Sequence, residues 1–360
     1  MSLFCSLGDC EKQYCHHCYP VINCSLNHEY CKENGICNEI ILNNKDIKKI
    51  LVTGCCGFIG SHVSEYLLKL GYNVYGIDII NDYYDVNIKQ DNLNILKEYS
   101  NFTFSKDDIC STDKIGIFKP DKICHLASMA GVRYSIENPQ KYIDVNIKGF
   151  IHILEECIKH NVKNIVYASS SSVYGLNKKT PFSESDNIEL CNSPYAVSKL
   201  AMEQFAKTYS NLYNISCIGL RFFTVYGPRG RPDMAPYKFI KAISSGEKFY
   251  KYGNGETSRD YTYITDIVDG IYNSLINKNN IKSKVYNLGN SKPVSLNNFI
   301  KLCEKIIGKE AVYETLSDQL GDVPYTYADI SLAKKDLDYN PKVQLEEGLT
   351  KFYSSYSKLQ

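Results

Sequence analysis

The stretch KKILVTGCCGFIG, residues 48–60, decides the fold. Its first half is a short apolar run, Ile50-Leu51-Val52-Thr53, of the kind that fills a strand buried on both faces. Its second half, Gly54-Cys55-Cys56-Gly57-Phe58-Ile59-Gly60, is a GxxGxxG loop that leads into a helix starting near Gly57. Glycines at that spacing let the backbone turn tightly and approach a pyrophosphate, while the helix N-terminus offers free N–H groups and partial positive charge. A glycine-spaced loop alone is also an ordinary strand-to-helix turn, so the reading depends on the next strand.

That strand is NVYGID, Asn73 to Asp78, a second apolar run that ends on a carboxylate. Asp78 stands where it would accept hydrogen bonds from an adenosine ribose, and it would repel a 2′-phosphate, which favours NAD over NADP. Outward from there, FTFSKD (102–107), KICHLA (122–127), NIVYASS (164–170) and SCIGLRFF (216–223) alternate with helical stretches around 139–160 and 194–213. That alternation requires parallel strands with crossover helices on both faces, a doubly wound parallel Rossmann sheet of the α/β class. Asp108 and Ile109, just past the third strand, are placed to hold the adenine, although a helix-capping Asp108 is an equally ordinary reading. Gly54, Gly57, Phe58, Ile59, Gly60 and Ala127 complete the expected cofactor wall. After Thr224 the pattern loosens into Gly-, Pro- and Tyr-rich loops, so the expected plan is a Cys-rich extension over 1–46, an NAD-binding domain over 47–223, and a smaller nucleotide-sugar-binding lobe over 224–360 with segments returning to the sheet.

Composition bounds the function. Over 360 residues, 41 Lys and Arg balance 40 Asp and Glu, which excludes a generally basic nucleic-acid binder. With 44% hydrophobic residues the chain can fill a sizeable core. No apolar run approaches the roughly 18 residues that a membrane span needs, and the start MSLFCSLGDCEKQ lacks a secretory layout, so the expectation is a cytoplasmic protein with no membrane partner. Of 15 cysteines, seven lie in the first 46 residues: Cys5, Cys10, Cys15, Cys18, Cys24, Cys31 and Cys37. Cys15-His16-His17-Cys18 is a CxxC pair without a second to confirm it, and three readings stay open for this arm: a zinc site, a redox role, or a poorly ordered tail.

The chemistry rests on Tyr195-Ala196-Val197-Ser198-Lys199, a YxxxK pair at the start of a helical stretch. Spacing of four puts phenol and ammonium on one face. A free phenol has a pKa of about 10, and acting as a base near neutral pH requires a lowering of about three units, on the order of 4 kcal/mol, by the Lys and by a positive nicotinamide. With 30 tyrosines in the chain, YxxxK alone is weak. The decisive neighbour is Ala168-Ser169-Ser170-Ser171-Ser172-Val173-Tyr174-Gly175 at the carboxyl end of the fifth strand, where ligands of such sheets bind and a hydroxyl can share a proton with Tyr195.

These elements together resemble the extended short-chain dehydrogenase/reductase family, from about Lys48 to Phe352. AGVRYSIENPQKYIDVNIKGF (130–150), YASSSSVYGL (167–176), RFFTVYGPRGRPDMAPYKF (221–239), SRDYTYITDI (258–267) and GDVPYTYADI (321–330) are most similar to UDP-glucuronate 4-epimerases. The resemblance implies Tyr195 as base, Lys199 as its electrostatic partner and ribose contact, and Ser170 as hydrogen-bond partner of the sugar 4-hydroxyl. It further implies Asn146 in support of the cofactor, Arg259 on the UDP diphosphate and Asp322 on the UDP ribose. Ser172, Thr224 and Arg231 are the expected carboxylate-orienting groups, with Arg133 an alternative, and no metal is expected. Related dehydratases carry an acidic pair where this chain has Ser171 and Ser172, which argues for epimerisation. Competing readings are a UDP-glucose 4-epimerase, a nucleotide-sugar 4,6-dehydratase, and a redox-responsive binding protein that holds NAD only as a ligand. The resemblance also implies a homodimer paired through 139–160 and 194–213.

Overall fold

Each apolar run of the first half is a strand in a computed structural model that describes residues 48–188, 190–277, 281–317 and 323–358. The arm, with its zinc, redox and tail readings, and Asp322 lie outside the described residues. Along the chain run β1 (Lys49–Thr53), α1 (Phe58–Lys69), β2 (Asn73–Asp78), α2 (Val86–Lys97), β3 (Phe102–Lys106), α3 (Lys114–Phe118) and β4 (Lys122–His125). Then come α4 (Val132–Glu137), α5 (Pro139–Tyr142), a π-helical turn (Ile143–Lys148), α6 (Gly149–Lys159), β5 (Asn164–Ser170), α7 (Pro194–Tyr213) and β6 (Ser216–Phe222). The remainder comprises β7 (Thr224–Tyr226), α8 (Ala235–Ser245), β8 (Phe249–Tyr252), β9 (Ser258–Tyr263), α9 (Ile264–Ile276), β10 (Ser283–Leu288), β11 (Pro293–Ser295), α10 (Leu296–Ile307), β12 (Tyr313–Leu316), α11 (Ser331–Leu337) and α12 (Leu345–Ser357).

Seven strands form one parallel sheet in the order β10-β6-β5-β4-β1-β2-β3. The chain moves outward from β1 to β3 and then crosses back to lay β4 on the other side of β1. That reversal opens a crevice at the carboxyl ends of β1 and β4, the place where such sheets take ligands. Both faces are covered, which explains the unbroken apolar runs. Ile50 and Val52 pack on one face with Val74, Val166 and Ile218, while Leu51 packs on the other with Ile77, Ile165, Phe150 and Leu154.

Two parts of the second half do return to the first. β10 pairs with β6 at the sheet edge, and α9 lies against α1, with the Tyr66 and Tyr272 rings 5.2 Å apart in edge contact. What stands over the strand ends is the three-stranded sheet β11-β9-β7 and the pair β12-β8 with their helices. Asp260 ties this lobe down. Its fully buried carboxylate accepts from the backbone N–H of Asn290 at 2.7 Å, Ser291 at 2.9 Å and Ala328 at 3.1 Å.

Candidate active site

A cleft of about 390 Å³ opens over the carboxyl ends of β1, β2, β4 and β5. Its floor is the glycine loop. Gly54 has φ of +72°, and a Cβ there would lie 2.7 Å from the Ala127 nitrogen. A Cβ on Gly60 would lie 2.0 Å from the Gly54 oxygen, so the third glycine lets α1 start against the loop. Gly57 caps α1 with no side-chain hydrogen bond, the N–H groups of the first turn have no intrahelical partners, and Phe58 and Ile59 of that turn line the cleft. Cys55 and Cys56, the bulky fill of the loop, do not enter the cleft: both are fully buried beneath it, and Cys55 Sγ occupies space freed by Gly76, where a Cβ would stand 2.6 Å away.

At the end of β2, Asp78 lines the cleft, and its carboxylate accepts from Cys56 N at 3.1 Å and Ile80 N at 2.8 Å. Burial raises its pKa, opposed by these bonds and by Lys89. Lys89, which sequence reasoning missed, lines the same wall and donates to the Asn81 carbonyl at 2.9 Å. Nothing in the spacing of α2 marked it, because only the fold of the loop before α2 brings it back. Asp108 and Ile109 also line the cleft, and Asp108 accepts from Cys110 N at 2.9 Å, so it closes a local turn while facing the site. An open glycine floor, free helix N–H groups and a carboxylate at the far end fit a dinucleotide.

Asn146 does not line this cleft. It sits fully buried in the π-helical turn, accepts from Met129 N at 2.7 Å and Ser128 Oγ at 2.9 Å, and donates to Met129 O and Ser198 Oγ, both at 2.9 Å. All its hydrogen-bonding capacity is used, so it fastens the Ser128-Met129 loop to α7 instead of touching a ligand. Any support that Asn146 lends a cofactor therefore passes through that loop.

At the other end, Ser170, Ser172, Tyr195, Lys199, Thr224 and Arg231 share one wall. Ser193 caps α7 by accepting from Ala196 N at 3.1 Å, with Pro194 behind it, which fixes where the helix begins and aims Tyr195 into the cleft. Ser170 lies beside the Tyr195 phenol and donates to Ser172 Oγ at 3.1 Å. Lys199, 1% exposed, donates to the Ala168 carbonyl at 2.8 Å and lies 6.0 Å from the Tyr195 ring centre. In the protein alone, burial pushes the Tyr195 phenol up, against Ser170 and the charge of Arg231. Burial likewise pushes Lys199 down to about 7, against Glu203. The expected lowering of Tyr195 by Lys199 is therefore not met by the chain alone, because a dry wall penalises phenolate and ammonium alike.

Arg231 is held by Asp233, Nε at 3.0 Å and Nη2 at 2.5 Å, with its guanidinium 5.5 Å from the Tyr83 ring centre. Arg133 is not brought to this end. Val132 of α4 faces the cleft, whereas the Arg133 guanidinium lies 5.3 Å from the Tyr252 ring centre on β8. Arg259 does not line the cleft either: it sits on β9 and donates to the Ser258 carbonyl at 3.0 Å. Ser171 and Ser172 line the wall where a dehydratase would need carboxyls. Among the described residues that line the cleft, the carboxylates are Asp78, Asp107 and Asp108, all at the β2–β3 end.

A family model described as GDP-mannose 4,6 dehydratase matches residues 51–352. Protein CapI of Staphylococcus aureus is 46% identical over 330 residues, covering 86% of this chain and 98% of that protein. A UDP-glucuronate 4-epimerase of Thermodesulfobacterium geofontis is 43% identical over 304 residues, covering 83% of this chain and 93% of its own. Among solved structures, the UDP-glucuronic acid 4-epimerase of Bacillus cereus, in complex with UDP-glucuronic acid and NAD, aligns with a TM-score of 0.83 at 38% identity, over 87% of this chain and all of that one.

Proposed function

Because this chain belongs to the GDP-mannose 4,6-dehydratase family of extended short-chain dehydrogenases/reductases, we infer that it is an NAD-dependent UDP-sugar 4-epimerase, acting between UDP-glucuronate and UDP-galacturonate. One observation carries the reading: Tyr195, Lys199 and Ser170 converge on a wall whose neighbouring positions are Ser171 and Ser172. A 4,6-dehydratase must move protons at C5 and C6 with a carboxyl acid and a carboxylate base, and serines supply neither. Arg231 at the reacting end supports an acidic sugar, since a neutral hexose has no use for a guanidinium there.

In this mechanism Tyr195 takes the proton of the sugar 4-hydroxyl while Ser170 holds the same oxygen, and Lys199 stabilises the phenolate. When bound, NAD supplies a reversible two-electron acceptor for C4, and its positive ring adds the charge that the phenolate needs. The resulting 4-keto sugar turns in the cleft and is reduced on its opposite face, with Tyr195 returning the proton. A 4-keto glucuronate is a β-keto acid prone to lose CO₂. Ser172, Thr224 and Arg231 would hold its carboxylate so that the C–COO⁻ bond stays out of line with the ketone π-system. Gly54, Gly57 and Gly60 would cradle the NAD pyrophosphate, Asp78 its ribose, Asp108 and Ile109 its adenine.

The test is to incubate the full chain with UDP-glucuronate, UDP-glucose and a dehydratase substrate, separate the products and identify them by nuclear magnetic resonance. Formation of UDP-galacturonate alone supports the proposal; a 4-keto-6-deoxy product, or turnover of UDP-glucose only, refutes it. Thr224→Val should raise the share of decarboxylated pentose in the same assay, and a product mixture free of pentose counts against the orienting role.

A homodimer is part of this reading. Ile143 and Val197 stand 49% and 53% exposed on the adjacent stretches 139–160 and 194–213, an apolar pairing face for a second copy. Val197→Glu should yield a monomer in sedimentation; an unchanged mass argues otherwise. All eight described cysteines are free, as thiols are in a reducing, cytoplasmic setting, and no described helix is long and apolar enough to cross a membrane.

A further inference from the structure

The Tyr195–Lys199 spacing continues for one more turn of α7 to Glu203, so three side chains four residues apart form a single stripe. That stripe grips three consecutive residues at the end of β5. Tyr195 meets Ser170, Lys199 Nζ donates to the Ala168 carbonyl at 2.8 Å, and Ser169 Oγ donates to Glu203 Oε1 at 2.5 Å. Glu203 is 6% exposed and is also clasped by Arg221 of β6, Nε at 2.9 Å and Nη2 at 2.7 Å. Arg221 is 3% exposed and lies in register with Ser169 across the sheet. A buried ion pair of this kind often contributes little net stability, because desolvation offsets the attraction, so its presence beneath a reacting wall asks for another role.

We propose that Glu203 is a positioning residue for the epimerase reaction: through Ser169 it fixes the β5 end against Tyr195, and its carboxylate supplies the negative charge that the Lys199 ammonium requires in a dry wall. This rests on the function argued above. The charged and titratable groups that face Lys199 are few. On its own helix they are Tyr195 and Glu203, and β4 brings His125; Arg221 of β6 and the buried Tyr167 of β5 act on Glu203 instead. The π-helical turn meets α7 next to Lys199 through the neutral amide of Asn146, which donates to Ser198. His125, hydrogen-bonded to Thr53 at 2.9 Å, is pushed down to about 3 by burial and by Lys199, so it is neutral and adds no charge. Glu203 is therefore the carboxylate that counters the desolvation of Lys199. Arg221, on the far side of Glu203, orients that carboxylate by a planar two-point bond.

The experiment compares the full chain with Glu203→Gln, with the double variant Glu203→Gln/Arg221→Met, and with Ser169→Ala. The double variant leaves no unpaired buried guanidinium and decides the matter if Glu203→Gln does not fold. One readout is kcat and KM for UDP-glucuronate against pH. The second needs no turnover: the ionisation of Lys199, followed by nuclear magnetic resonance in protein carrying isotope-labelled lysine Cε, with the resonance assigned from Lys199→Met. In the Glu203 variants Lys199 should titrate about one pH unit lower, moving the alkaline limb of kcat with it, while KM stays within about threefold. Ser169→Ala should lower kcat by about tenfold and leave the titration in place. An unmoved Lys199 titration together with an unmoved alkaline limb overturns the proposal. If the wild-type chain turns over none of the UDP-sugars, the function fails instead, and the lysine titration still decides whether Glu203 governs that charge.

Discussion

Tyr195 carries the largest prediction at the scale of single residues. General acid–base groups contribute roughly a hundred- to ten-thousandfold, so Tyr195→Phe should lower kcat by that range while the protein retains NAD on purification. Loss of bound cofactor in that variant would assign Tyr195 to binding instead. The residues that the fold gathers at this end of the cleft were legible in the sequence because each carries a local mark: four-residue spacing for Tyr195 and Lys199, and a serine run at a strand end for Ser170 and Ser172. Lys89 and Asp233 carry no such mark, and Glu203, although on the same four-residue spacing, is told apart from a surface carboxylate only by its partners in the fold. Lys89 reaches Asn81 only after a loop doubles back, and Arg221 meets Glu203 only because β6 lies beside β5. For Arg133, the alternative to Arg231, the sequence left the direction of the side chain open: the short helix α4 places Val132 on the cleft and Arg133 over Tyr252.

Among the elements, the β1–loop–α1 unit separates two uses of glycine. A Cβ on Gly60 meets backbone at 2.0 Å and 2.8 Å, so it can be accommodated only by moving α1 away from the loop. Gly60→Ala should therefore lose about 1–3 kcal/mol of stability, seen as a lower melting temperature, and retain less NAD. A Cβ on Gly57 meets only the Gly54 oxygen, at 3.3 Å, and otherwise points into the open cleft. Gly57→Ala should keep a near-normal melting temperature yet bind NAD more weakly; equal melting temperatures for the two variants would undo the distinction. Strand positions were readable because burial on both faces leaves apolar runs with no alternation. The π-helical turn at Ile143–Lys148 was not, since a wider backbone turn leaves no trace in residue type; its consequence, the fully bonded Asn146, is visible only in the fold.

Over the whole molecule, the second half returns to the sheet through β10 and α9, and a second cavity of about 150 Å³ lies where α9 meets the chain between α11 and α12. Asp269 lines it, half-buried beside Tyr66, Tyr272 and Lys342. Burial and the nearby Asp266 raise its pKa from 3.8 to about 6, and Lys342 opposes them. The folded state thus holds the Asp269 proton more tightly than the unfolded chain does. Its contribution to stability is fully present below the unfolded value near pH 4, falls as pH rises toward about 6, and is lost above that. At neutral pH the ionised carboxylate is a net cost of about 1–2 kcal/mol, the full shift being discounted for partial exposure. Asp269→Asn should accordingly raise the melting temperature of the full chain at pH 7, with the gain shrinking toward nothing near pH 4, where the folded Asp269 carboxyl is protonated and as uncharged as the amide that replaces it. Thermal unfolding at the two pH values checks it: a gain equal at both would show that packing, not charge, was changed, and a loss at pH 7 would show that the carboxylate holds the seam between the two halves together.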